Sequence, residues 1–220
     1  MTATYGLLST DHVMGRVVAD LTAKFSGIFA AETVERYVYE TYTALGRTSK
    51  VKAHLPVLTA RFAADRLTAL AQAKGAIPTL VPEVLFVCVH NAGRSQMAAT
   101  LLEHHAAGTV HVRSAGSMPT ADLQPTVVQV MAEIGIPLTD AYPKPLTDDV
   151  VRAADVVITM GCGDACPVYA GKRYLDWDLN DPAGSSLAAL RRVRDDINAR
   201  VVELLNELVG AAAHLPRKSR

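Results

Sequence analysis

The sequence predicts an α/β fold: a four-stranded parallel sheet flanked by helices, preceded by a small three-helix bundle. Three observations lead there. Residues 1–80 carry three stretches of helical periodicity. Residues 83–210 alternate apolar strand-like runs with amphipathic helical ones. Within that half, Val84, Leu85, Phe86 and Val87 run straight into Cys88, a tight connection, and an Arg94-Ser95 pair that opens a helix.

Composition narrows the classes. At 220 residues the chain fits one large or two small domains, divided here as 1–80 and 81–220. Lys plus Arg equals Asp plus Glu at 22 each, so no global basic field advertises nucleic acid or a membrane surface. The first residues lack a basic region followed by an apolar one, and no apolar run reaches spanning length. A cytoplasmic protein is expected. Three cysteines, two of them close together, argue against a secreted disulfide framework and for reactive thiols in a reducing compartment.

In the first half, Ser9-Thr10-Asp11 caps a helix whose apolar positions are Val13, Val17, Leu21, Phe25 and Ile28. A second helix is expected over 31–45, with Val34, Val38, Tyr42 and Leu45 on one face and Gly46 as its stop. Residues 47–54 form a polar, basic loop. A third helix carries Leu55, Leu58, Phe62, Leu67 and Leu70 and ends at Gly75; Pro78 and Pro82 make 76–82 an extended connector. A bundle this small has a thin core, so its remaining apolar surface is expected to be buried against the second domain or across a dimer, and homodimerisation through these helices is the choice made between them. A DNA-binding module is disfavoured, because Arg47, Lys50, Lys52 and His54 form only a short basic loop and no helix is strongly basic. His12 and His54 are expected as ordinary surface residues.

In the second half, strands are expected at 84–87, 109–115, 154–160 and 172–177. Helices follow the first two: Met97, Leu101 and Leu102 form one buried stripe, and Val127, Val130, Met131 and Ile134 another behind Gln124-Pro125. The last helix keeps three- and four-residue steps through Leu190, Val193, Ile197, Val201, Leu204 and Leu208. In such sheets ligands bind beyond the carboxyl ends of the strands. Cys88, Cys162, and Asp178 with Asp181 all fall just past strand ends, so they gather on one rim.

The connection after Cys88 has the chemistry of an oxyanion cradle. Asn91 and Gly93 tolerate left-handed backbone, and the turn with the following helix N-terminus directs N–H groups inward. Arg94 offers a planar fork of donors suited to a tetrahedral oxyanion. The same field favours a thiolate, making Cys88 a nucleophile that Ser95 supports by hydrogen bonding. Asn91 is assigned to loop shape. His90 projects away from Cys88 and is given no proton-transfer role. Asp181 is placed to protonate a leaving oxygen, with Asp178 the weaker candidate and simple turn-capping the alternative. Cys162 and Cys166 are four apart, a separation that meets disulfide geometry after modest rearrangement. Half of a zinc site is the rival, but only three cysteines exist, so no metal is assigned.

Taken together, the run from Cys88 to Ala98, Ser114-Ala115-Gly116, Met160-Gly161-Cys162 and Asp181-Pro182-Ala183-Gly184 resemble arsenate reductases of the low-molecular-weight protein tyrosine phosphatase fold, over about 83–208. The resemblance implies arsenate as substrate, no cofactor, and a thiol cascade. Cys88 attacks arsenate held by Val89, His90, Asn91, Ala92, Gly93, Arg94 and Ser95, with Asp181 assisting loss of an oxygen. Cys162 then attacks Cys88 and arsenite leaves. Cys166 attacks Cys162, exporting the oxidation to a pair that thioredoxin reduces. Three departures are visible. The last two cysteines are closer than in better-known thioredoxin-coupled relatives. Ala99 stands where some relatives place a potassium-binding glutamate, so potassium is not assigned. The helical prefix resembles extensions of actinobacterial members, which makes mycothiol the alternative reductant. A tyrosine phosphatase is the other alternative, although Ala183-Gly184 stands where an aromatic residue is expected to grip a phenyl ring.

Overall fold

The computed structural model describes residues 10–161, 166–180 and 184–213; Cys162 and Asp181, both assigned from sequence, lie outside the described residues. Its internal contacts divide the chain into two units, Met1–Ile77 and Pro78–Arg220. Among the described residues, no helix is long and apolar enough to cross a membrane.

In the first unit, α1 (Thr10–Lys24), α2 (Ala31–Gly46) and α3 (Leu55–Ala73) each pack against the other two. Met14, Leu21, Phe25, Val34, Tyr37, Val38, Ala63 and Leu67 are buried together. The α1 stripe is therefore centred on Met14, while Val13 and Val17 are only half-buried. Buried Arg66 ties α3 to α2: its Nη1 donates to Thr41 Oγ1 at 3.0 Å, and its guanidinium lies 4.6 Å from the centre of the Tyr37 ring. Within the expected loop at 47–54, Lys52–His54 forms one 3₁₀ turn.

The second unit holds β1 (Glu83–Cys88), α4 (Arg94–Ala106), β2 (His111–Gly116), α5 (Pro125–Ala132), α6 (Asp148–Ala153), β3 (Val156–Met160), β4 (Arg173–Asp176) and α7 (Leu187–Ala213). All strands are parallel in the order β2-β1-β3-β4. The six buried residues of β1 explain its unbroken apolar run: a central strand of a parallel sheet is covered on both faces. Val84, Phe86 and Cys88 share one core with the buried sides of α4, α5 and α7. From β1 the chain moves to β2 on one side and then returns to β3 on the other, so the crevice of the sheet opens at the carboxyl ends of β1 and β3.

Two expectations are corrected. Ile134 is 41% exposed, because α5 ends at Ala132 and the following turn carries it outward. The helix α6 is absent from the sequence reading; at six residues it is too short to show a period.

At the opposite end of the sheet, the buried Glu83 carboxylate is ion-paired with buried Arg113, and His111 Nδ1 lies 2.6 Å from it. Asp155 brackets the same strand start, its Oδ2 accepting from the Glu83 N–H at 2.9 Å. Removing one partner of such a pair strands the other charge in the interior. Arg113→Met is expected to lower unfolding stability by about 3 kcal/mol, read from the midpoint of urea denaturation.

Candidate active site

The carboxyl end of β1 delivers Cys88 to the crevice, with Gly116 of β2 and Met160 of β3 as its register partners. The connection to α4 is then held by its carbonyls. Those of Cys88, Val89, His90 and Ala92 accept from the N–H groups of Ser117, Met118, Thr120 and Gln124, on the segment after β2. The Asn91 carbonyl accepts from Gln96 Nε2 at 3.0 Å, and that of Gly93 starts the helix by accepting from Met97. In a trans peptide the C=O and the next N–H point opposite ways. Carbonyls drawn outward therefore turn the following N–H groups inward, and the Asn91 N–H reaches Cys88 Sγ at 3.2 Å. The cradle inferred from sequence thus has a cause: its carbonyls are occupied elsewhere.

Asn91 has φ +48°, as expected of it; Gly93 does not share that conformation and caps α4 with φ −139°. Asn91 is fully buried and orders a chain of hydrogen bonds. The backbone N–H of Lys144 donates to Asn91 Oδ1 at 2.8 Å, which fixes the amide's orientation. Asn91 Nδ2 consequently donates to Ser95 Oγ at 2.8 Å. The Ser95 hydroxyl in turn shares a hydrogen bond with Cys88 Sγ, 2.9 Å away. The Asn91 N–H and the Ser95 hydroxyl thus converge on the sulfur.

Sequence reasoning missed Gln96 and the segment that meets it. Gln96 is buried, and its Nε2 lies within 2.8–3.0 Å of three oxygens: Asn91 O, Asn91 Oδ1 and Tyr142 O. The 144–146 stretch is anchored in turn by Gly116, whose N–H donates to Lys144 O while its carbonyl accepts from Leu146, both at 2.8 Å. A β-carbon at Gly116 would lie 2.7 Å from Val89 O and 2.9 Å from Asn91 N, so only glycine lets β2 end against the loop. Backbone partners such as Lys144 N and Tyr142 O leave no residue-type signal in a sequence.

Arg94 opens α4 and is 9% exposed; its Nη1 donates to Leu179 O at 3.2 Å, in the segment after β4. Leu179 is two residues before Asp181, so the strand end that anchors the arginine also leads to the expected acid. Asp178 is exposed and lines a cavity with Asn180, Arg192 and Asp196. His90 is exposed, Val89 half-buried and Ala92 buried.

Cys166 is buried, 8% exposed. Tyr174 of β4 holds the turn that follows it: the phenol donates to Pro167 O at 3.2 Å and accepts from the Tyr169 N–H at 2.9 Å. Burial first, and repulsion from an ionised Cys166 second, push the Tyr174 phenol above its usual range.

Comparison with known proteins agrees with this geometry. The solved structure of a thioredoxin-dependent arsenate reductase from Corynebacterium glutamicum is 48% identical, covers 90% of this chain and 97% of its own, and gives a TM-score of 0.82. A glutaredoxin arsenate reductase of Synechocystis sp. is 34% identical over 129 residues, 57% of this chain and 98% of the relative. Arsenate reductase 1 of Bacillus cereus is 33% identical over 122 residues, 54% of this chain and 90% of the relative. Residues 14–71 match the protein-tyrosine-phosphatase-like N-terminal domain. Residues 83–214, more than half of the sequence, match the low molecular weight phosphotyrosine protein phosphatase model, and the chain belongs to that family.

Proposed function

We propose that this protein is a cytoplasmic arsenate reductase that converts arsenate to arsenite with Cys88 as nucleophile and thioredoxin as the source of electrons. The observation that carries the reading is the pair of donors aimed at Cys88 Sγ within a cradle opened by Arg94. Arsenate is a tetrahedral oxyanion; inward N–H groups and the Arg94 fork hold three of its oxygens while sulfur approaches the fourth bond's rear. The Cys88 thiolate forms an S–As(V) bond, and one arsenate oxygen departs as water after Asp181 protonates it.

Reduction then needs two electrons. The Cys162 thiolate attacks Cys88 Sγ and the S–As bond breaks. Its electron pair goes to arsenic, which leaves as arsenite, and a Cys88–Cys162 disulfide remains. Cys166 attacks Cys162, forming a Cys162–Cys166 disulfide and releasing the Cys88 thiolate for the next cycle. A thioredoxin dithiol reduces that outer pair and is itself oxidised. Two further cysteines in the catalytic unit favour this course over phosphatase chemistry, which needs Cys88 alone. The 48% identity to a thioredoxin-dependent reductase favours thioredoxin over mycothiol or glutaredoxin.

Two copies pair through the α1–α3 bundle. Its small core and the exposed Tyr39, Val51 and Val57 support this.

Reduced wild-type protein without added thiol is expected to release about one arsenite per chain, as is Cys166→Ser, whereas Cys162→Ser releases none. Arsenite that appears only after a small thiol is added overturns the internal cascade. Multiple turnover is expected with thioredoxin and its reductase, and not with mycothiol or glutaredoxin. Ser95→Ala is expected to slow iodoacetamide alkylation of Cys88 at neutral pH about tenfold, the loss of one hydrogen bond to a charged group. In sedimentation at micromolar concentration the full chain is expected as a dimer; a monomer there removes the bundle's pairing role.

A further inference from the structure

We propose that Gly161 is a positioning residue for the oxyanion site, its bare Cα forming the rest against which the Arg94 guanidinium is held. The inference rests on Arg94 binding the oxyanion, as proposed above.

Gly161 is the first residue past β3, and its φ of +68° turns the chain there. A β-carbon at this position would lie 3.0 Å from Arg94 Nη1, 3.8 Å from Cζ and 3.9 Å from Nη2. The three nearest atoms among the described residues thus belong to one guanidinium. A long side chain ordinarily swings away from such a contact. Arg94 is poorly placed to do so, because it is 9% exposed and the same Nη1 donates to Leu179 O at 3.2 Å. Its Cα is fixed as the first residue of α4. A side chain at 161 therefore moves the donor fork off its aim or breaks the bond to Leu179, and either change degrades a site that depends on preorganised donors. Gly171, in the same connection between β3 and β4, separates the two reasons for glycine. Its φ is +79°, yet a β-carbon there meets nothing within 4 Å among the described residues. Backbone strain alone explains Gly171; strain and the arginine contact both apply at Gly161.

The test uses the full chain in reduced form, with inorganic phosphate as the oxyanion, and measures how much phosphate half-protects the Cys88 peptide from iodoacetamide. Arg94→Lys and Gly161→Ala are each expected to raise that concentration about tenfold, the equivalent of one charge-assisted hydrogen bond. Gly171→Ala, which carries the strain without the contact, is expected to stay within about twofold of wild type. Gly161→Asn, which tolerates left-handed backbone but still carries a β-carbon, is expected to behave like Gly161→Ala, and it serves where the alanine variant fails to fold. Because Gly161 acts through Arg94, the double variant Gly161→Ala/Arg94→Lys is expected to be no weaker than Arg94→Lys alone. Gly161 variants that match Gly171→Ala, or a double variant with the two penalties multiplied, overturn the positioning role while leaving the oxyanion site standing. If Arg94→Lys binds phosphate as wild type does, the oxyanion role of Arg94 fails and this inference falls with it.

Discussion

The site depends on how the carbonyls between Cys88 and Arg94 are occupied. A short connection between a parallel strand and a helix has six peptide planes to orient, and each can present either its oxygen or its N–H to the crevice. Here the segment after β2 supplies N–H donors to four of the carbonyls, Gln96 takes a fifth and the helix the sixth. The result is a loop whose carbonyls are engaged away from the crevice and whose Asn91 N–H reaches Cys88 Sγ. Preorganisation of this kind is favourable because no reorientation remains to be done when charge develops.

The same constraint explains why residues remote from sulfur are buried and polar. Asn91 relays the fixed direction of the Lys144 N–H, through Ser95, to Cys88. A backbone N–H cannot reverse its role, so one backbone donor fixes the Asn91 amide and makes its Nδ2 a donor to Ser95. Gly116 contributes by lacking a side chain, since any β-carbon there meets the loop backbone. These groups touch one another rather than a substrate, yet they decide what the thiol experiences.

The rim of the sheet leads from this loop toward the segment of the other two cysteines. Arg94 is tied to the strand ends of β3 and β4, through Gly161 and Leu179, and those ends lead directly to Cys162 and Asp181 in the sequence. Cys166 follows in a turn held by Tyr174. The residues proposed for anion binding, acid delivery and thiol exchange thus follow neighbouring strands of one parallel sheet in the sequence.

Much of this was legible in the amino-acid order. Burial of β1 on both faces demands an uninterrupted apolar run, and Val84 to Val87 displays one. The long period of α7 and the stripes of α4 and α5 likewise follow from each helix burying one side, and Cys88, Arg94 and Ser95 announce themselves by residue type and spacing. Where the pattern is short it misleads: α6 has too few residues to show a period, and Ile134 continues the α5 rhythm past the helix end into solvent. The partners that hold the loop were not legible at all. Tyr142 and Lys144 act through backbone atoms common to every residue, and the demands on Gly116 and Gly161 come from chain segments distant in sequence. Sequence by itself determined which groups the crevice contains, because the thiol of Cys88 and the guanidinium of Arg94 are side chains. Tertiary structure alone decided how they are aimed, because aim is set by backbone donors brought together only when the sheet closes.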